Sequence, residues 1–135
     1  MRSFIRHPTD IPFEYSLGEI APIKKENLSN ISHGGLSFQS KSCFDVGSSI
    51  FIRIPLRNPP FEAEGTIVWC KKNGVQYDIG VEFIDQHTEH AVRMVEQVAY
   101  IEHYKREVHD KEGRSLSGEE AAFEWINKYA SNFPD

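Results

Sequence analysis

The segment from Phe61 to Phe83, FEAEGTIVWCKKNGVQYDIGVEF, decides the fold. Phe61, Ala63, Gly65, Ile67 and Trp69 recur at every second position, and so do Val75, Tyr77, Ile79, Val81 and Phe83. A period of two belongs to a strand with one buried face. Between the two runs stands Asn73-Gly74, a hairpin dipeptide whose residues tolerate positive φ. The segment therefore reads as two long antiparallel strands.

The pattern extends upstream. Ile50, Ile52 and Ile54 alternate with Phe51 and Arg53, and Leu36, Ser37 and Phe38 alternate after the break at Gly34-Gly35. Gly47 and Pro59-Pro60 punctuate the chain. Lys24 to Ile31 is a weaker, polar strand, and Ile11 to Leu17 carries Phe13 and Tyr15 in a first one. Six short strands at this spacing predict a mainly β protein, a six-stranded antiparallel barrel that removes exposed edges by closing. Residues 1–10 read as a flexible extended arm, because Pro8 disfavours helix at His7. The barrel is expected over 11–86 and helices over 87–135.

From Thr88 to Val108 the apolar period becomes helical, with Ala91, Val92, Val95, Val98, Ala99 and Glu102 on one stripe. A polar break follows at Asp110 to Arg114. Ser117-Gly118-Glu119-Glu120 is a capping box, in which Ser117 and Glu120 satisfy each other's amides. It opens a helix with Ala122, Trp125, Ile126, Tyr129 and Phe133 on one face. Two covers remain open for that face: the chain's own barrel or preceding helix, or a partner, including a second copy in a homodimer.

With 15 Lys and Arg against 20 Asp and Glu, the 135-residue chain carries a net charge of -5. An acidic surface is a poor generic binder of DNA, RNA or anionic membrane. No apolar run approaches the roughly 20 residues that cross a bilayer, and MRSFIRHPTD has no apolar core of a secretory signal. Cys43 and Cys70 read as reduced thiols in a cytoplasmic protein. Among six histidines only His87 and His90 have ligand-like spacing, and nothing completes a zinc set, so no metal is expected. Nucleophile-elbow, phosphate-loop and H-E-x-x-H patterns are missing, and Ser32 and His33, as neighbours on an extended chain, point to opposite faces. No enzyme is expected.

Two short motifs carry the chemistry. Arg2 and Arg6 form an R-x-x-x-R in the arm, and they are the only formally charged side chains among the first nine residues. Guanidinium groups grip phosphate bidentately and stack on flat rings. Asn30, Ser32 and Gly35 form an N-x-S-x-x-G at a turn between strands. Asn30 offers an amide donor and a carbonyl acceptor, Ser32 a hydroxyl, and residues i and i+2 on a strand share a face. Gly35 permits a turn with positive φ and a close backbone approach. Together these groups suit an anionic purine nucleotide clamped between arm and barrel.

This ordered set resembles the PilZ domain family. Gly65 to Trp69 is similar to the family's G-x-V-V-W strand, and Ile79 to Phe83 to its G-V-x-F strand. The resemblance spans residues 2–100 and implies a six-stranded PilZ-type β-barrel that receives the bacterial second messenger cyclic di-GMP. It implies that Arg2 and Arg6 contact phosphates and guanines, and that Asn30 and Ser32 read a guanine edge, with Gly35 completing the motif. Gly34, Trp69 and Gly80 are further candidates, as are His7 and Arg53 for phosphate. Many family members carry a basic residue just before the first arginine, a position that bears on ligand stoichiometry; here it is Met1. No other cofactor is implied. Output is expected through an unidentified downstream protein; the competing reading is a nucleotide-independent interaction adaptor of the same fold.

Overall fold

The computed structural model describes residues 7–18, 21–55, 60–84 and 89–129. Among the described residues seven strands occur in chain order: β1 (His7–Pro8), β2 (Pro12–Ser16), β3 (Lys24–Ile31), β4 (Gly35–Ser40), β5 (Ser49–Ile54), β6 (Phe61–Asn73) and β7 (Gln76–Phe83). Two helices complete the chain order, α1 (Glu89–Glu112) and α2 (Gly118–Tyr129). All pairings are antiparallel. The order β3-β2-β5-β6-β7-β4 closes on itself through β3–β4, so the expected six-stranded barrel is present. The seventh strand, β1, continues the line of β2 along β3, joined by Thr9, Asp10 and Ile11.

The barrel is filled from the alternating positions. Ile50, Ile52 and Ile54 are buried while Phe51 and Arg53 face out. Phe13, Tyr15, Phe38 and Phe44 form an aromatic cluster, with Phe38 5.0 Å from Phe13 and 5.2 Å from Tyr15 between centroids. Met94, Val95, Val98, Ile101, Tyr104 and Val108 bury the inner stripe of α1.

The hairpin departs from the simple reading twice. Its two-residue loop is Gly74-Val75, since Asn73 pairs with Gln76. Only Gly74 takes positive φ, 65°, as in turns that need glycine at the first central position, so Asn73 stays in the strand. Val75 is consequently at the exposed tip rather than on the inward face. The second departure is a bulge between Ile67 and Trp69, which inserts a residue and exchanges the two faces beyond it. Ile67 is opposite Val81 and faces the core; Cys70 is opposite Ile79 and packs against the core, so Trp69, opposite Gly80, lies on the outside. Trp69 thus does not share the face of Phe61 and Ile67.

The same bulge overturns the reading of the cysteines as separate thiols. It turns Cys70 toward the loop after β4, and Cys43 in that loop forms a disulfide with it at a Cα–Cα distance of 6.1 Å.

Helix α1 runs to Glu112, three residues into the expected break, and ends at Gly113, whose φ of 69° and N–H bond to the His109 carbonyl at 3.0 Å form a left-handed cap. The capping box forms as expected: Glu120 N–H donates to Ser117 Oγ at 3.1 Å and Ser117 N–H to Glu120 Oε1 at 2.9 Å. Ala121, Ala122 and Trp125 of α2 are buried, and the Trp125 ring stacks on Tyr100 of α1. Ala122 and Trp125 of that face are therefore covered within the chain and Ile126 is partly buried, while the Tyr129 side chain and Phe133 lie outside the described residues. No helix among the described residues is long and apolar enough to cross a membrane.

Candidate functional site

The strand register aligns one residue from each of five strands on the outer wall. Pro8 is opposite Asn30, Asn30 opposite Ser37, Ser37 opposite Gly80, and Gly80 opposite Trp69. Directly opposed residues share a face. Their neighbours Ile31, Leu36, Phe38, Ile79 and Val81 all point to the core, so the row faces away from it, although Ser37 and Gly80 within the row are themselves buried. Gly80 has no side chain there because the Trp69 indole takes its place: a Cβ on Gly80 would fall inside that ring. Lys71, two residues on, holds its Nζ 5.2 Å from the Trp69 ring centroid. Beside this row, Asp78 accepts from Gln39 Nε2 and from Asn73 Nδ2, both at 3.1 Å.

The N-x-S-x-x-G segment divides into two roles. Asn30 is half-buried on the strand and belongs to the row. Ser32 is in the turn, where its Oγ accepts from Gly34 N–H at 3.2 Å and donates to the Gly35 carbonyl at 3.4 Å. The Gly34 carbonyl accepts from Phe83 N–H at 2.8 Å, tying the turn to β7. Gly35 does not have positive φ. Its lack of a side chain serves the other half of the expectation, close approach: a Cβ would overlap the Val81 carbonyl oxygen of β7.

Of the remaining candidates, Arg2 and Arg6 lie outside the described residues. His7 is opposite Ile31, on the other face from Pro8 and Asn30. Arg53 is on β5, flanked across the strands by Glu14 and Glu62, with its Nε 3.9 Å from Glu14 Oε1. It faces a 440 Å³ hollow that also holds Phe51, Ile23 and Glu64, away from the row. Sequence reasoning missed Ser37 and Lys71. The alternation of Leu36, Ser37 and Phe38 already placed Ser37 outside, whereas Lys71 needed the bulge.

The chain that leads into the row is anchored by both helices. Thr9 Oγ1 donates to Glu102 Oε2 of α1 at 2.7 Å. Asp10 Oδ1 accepts from Lys105 Nζ at 2.8 Å, and Asp10 Oδ2 from the first amide of α2, Gly118 N–H, at 3.1 Å. Burial opposes ionisation of Asp10, but the Lys105 ammonium and the Gly118 amide outweigh it and hold the carboxyl below the usual aspartate range.

A closed six-stranded antiparallel barrel, with a short N-terminal strand laid along its wall and a helix pair behind that strand, defines a class of small β-barrel domains. The PilZ domain model matches residues 1–100, and the chain belongs to the PilZ domain family. No curated protein matches it in sequence. Among solved structures it is similar to the Bacillus subtilis inhibitor of motility MotI/DgrA, at 17% identity and a TM-score of 0.60, over 78% of this chain and 53% of that one. It is similar to Escherichia coli YcgR in complex with c-di-GMP, at 15% identity and a TM-score of 0.61, over 82% of this chain and 50% of that one. The PilZ domain of E. coli YcgR with c-di-GMP matches at 12% identity and a TM-score of 0.61, over 84% of this chain and 98% of that one. At these identities the likeness is one of fold. This chain spans about half the length of the first two.

Proposed function

We propose that this protein is a receptor for cyclic di-GMP, acting in the cytoplasm without catalysis and signalling to a partner protein. One observation carries the reading: Pro8, Asn30, Ser37, Gly80 and Trp69 form a single row on the face away from the core, in which Pro8, Asn30 and Trp69 reach solvent, and it begins directly after the R-x-x-x-R segment and its neighbour His7. Cyclic di-GMP presents two phosphodiester anions and two flat guanines, and the row offers an amide and an indole beside an arm with two arginines. Arg2 and Arg6 grip the phosphates and stack on the guanines. Asn30 reads a guanine edge, and the Trp69–Gly80 pair forms the floor. Ser32, Gly34 and Gly35 act by holding the turn that presents Asn30. Family membership and the fold shared with the E. coli domain solved with c-di-GMP support the assignment.

Isothermal titration with cyclic di-GMP tests it. Heat that saturates, and that weakens in Arg2→Ala and Arg6→Ala, is expected. Absence of heat at tens of micromolar, from a sample whose circular dichroism shows the folded barrel, refutes the receptor and leaves the nucleotide-independent adaptor.

A further inference from the structure

Among the described residues β1 pairs two residues with β3, and the ladder runs on through Thr9 N–H, which donates to the Ser29 carbonyl at 3.2 Å. Thr9 and Asp10, the next two residues, are tied to both helices. Thr9 is bonded to Glu102, and the Asp10 carboxylate spans Lys105 on α1 and the Gly118 amide at the start of α2. A carboxylate at a helix N-terminus also meets the positive end of the helix dipole. The fit at Gly118 is tight: a Cβ there would lie 2.7 Å from the Asp10 carbonyl carbon and 2.8 Å from its oxygen. These are backbone atoms, so the collision cannot be relieved by turning a side chain.

We infer that Asp10 is a positioning residue for the ligand face, which couples nucleotide binding to the docking of the helix pair. This rests on the receptor reading above. Asp10 touches no residue of the row; it fixes the two-residue link between α1, α2 and Pro8, which stands opposite Asn30. Nucleotide held against the row beside Pro8 therefore tightens the Gly118 contact, and a docked helix pair in turn fixes Pro8 opposite Asn30. The coupling is reciprocal by linkage.

The experiment combines titration with amide hydrogen exchange on the full chain. Cyclic di-GMP is expected to slow exchange of the Gly118 amide about fivefold or more, a typical lower bound for coupled sites. Asp10→Ala and Gly118→Ala are expected to weaken nucleotide affinity by a similar factor. Asp10→Asn, which keeps an acceptor for the Gly118 amide but loses the charge facing Lys105, is expected to fall between them and wild type. If wild type binds, the folded variants bind equally well and Gly118 exchange ignores the nucleotide, the coupling is overturned and the receptor stands. If wild type does not bind, the receptor reading fails and takes the coupling with it.

Discussion

The Trp69 indole fills the space that a side chain on Gly80 would occupy, so a strand residue on β7 is replaced by a ring reaching over from β6. Gly80→Ala must push that ring off the wall. Because the obstacle is a side chain, the barrel survives: the expected loss is about 1–2 kcal/mol, at the lower end for overpacking. Tryptophan fluorescence should report the displacement, and nucleotide affinity should fall with it. A variant with unchanged fluorescence and affinity would show that the floor plays no part in binding.

Gly35→Ala is the harsher change although the residue is of the same type. The atom it meets is the Val81 carbonyl oxygen, a member of the β4–β7 ladder. Relief requires prying apart two strands, so the expected loss is about 3 kcal/mol or more. Urea denaturation of the two variants side by side checks the order. Equal losses would refute the distinction between a backbone and a side-chain obstacle.

Arg2→Ala or Arg6→Ala should each cost about 1.5–3 kcal/mol of binding, the worth of a charge-assisted hydrogen bond. That is roughly tenfold to over a hundredfold in Kd. Asn30→Ala, removing a neutral partner, should cost about 1 kcal/mol. Raising salt should narrow the gap between wild type and the arginine variants, because exposed charges are screened, and leave the Asn30 gap unchanged.

The Cys43–Cys70 bond closes a loop with a sequence separation of 27. On the chain-entropy account such a loop contributes about 3–4 kcal/mol. Reductant should therefore lower the urea midpoint of wild type and leave a Cys43→Ser, Cys70→Ser double variant where it is. A wild-type midpoint insensitive to complete reduction, verified by thiol counting, would show that the crosslink does not stabilise the barrel.

The barrel was legible because most of its strands keep a period of two over the residues that fill the core and the turns carry their own chemistry. Ile50, Ile52 and Ile54 behave as alternation demands, and Ser117 with Glu120 makes both bonds of the capping box. The motif order also pointed to the family that the chain belongs to. The effects that stayed hidden are ones that a period cannot encode. One extra residue between Ile67 and Trp69 moved Trp69 outward and brought Cys70 to Cys43. Likewise, Asp10 looked like an ordinary acid at the end of an arm. Its partners Lys105 and Gly118 are about a hundred residues away, with separations of 95 and 108, beyond any local pattern.

Asp10 also sets a pH dependence whose sign can be worked out. Burial disfavours its charge, but the Lys105 ammonium and the Gly118 amide prevail, so its carboxyl titrates below the ordinary value of 3.8. A carboxyl with a depressed value in the folded state binds its proton less readily there than in the unfolded chain. Its contribution to stability is thus fully present above the unfolded value and is lost as pH falls through the folded one. Comparing wild type with Asp10→Asn isolates this group, because Glu102, 3.8 Å from the same Lys105 ammonium, is present in both. The stability gap measured by urea denaturation should be constant from about pH 7 to about pH 5 and shrink below the usual aspartate value. A gap that widens on acidification would mean that Asp10 is better protonated than ionised, and that the tie to Lys105 and Gly118 does not stabilise the fold.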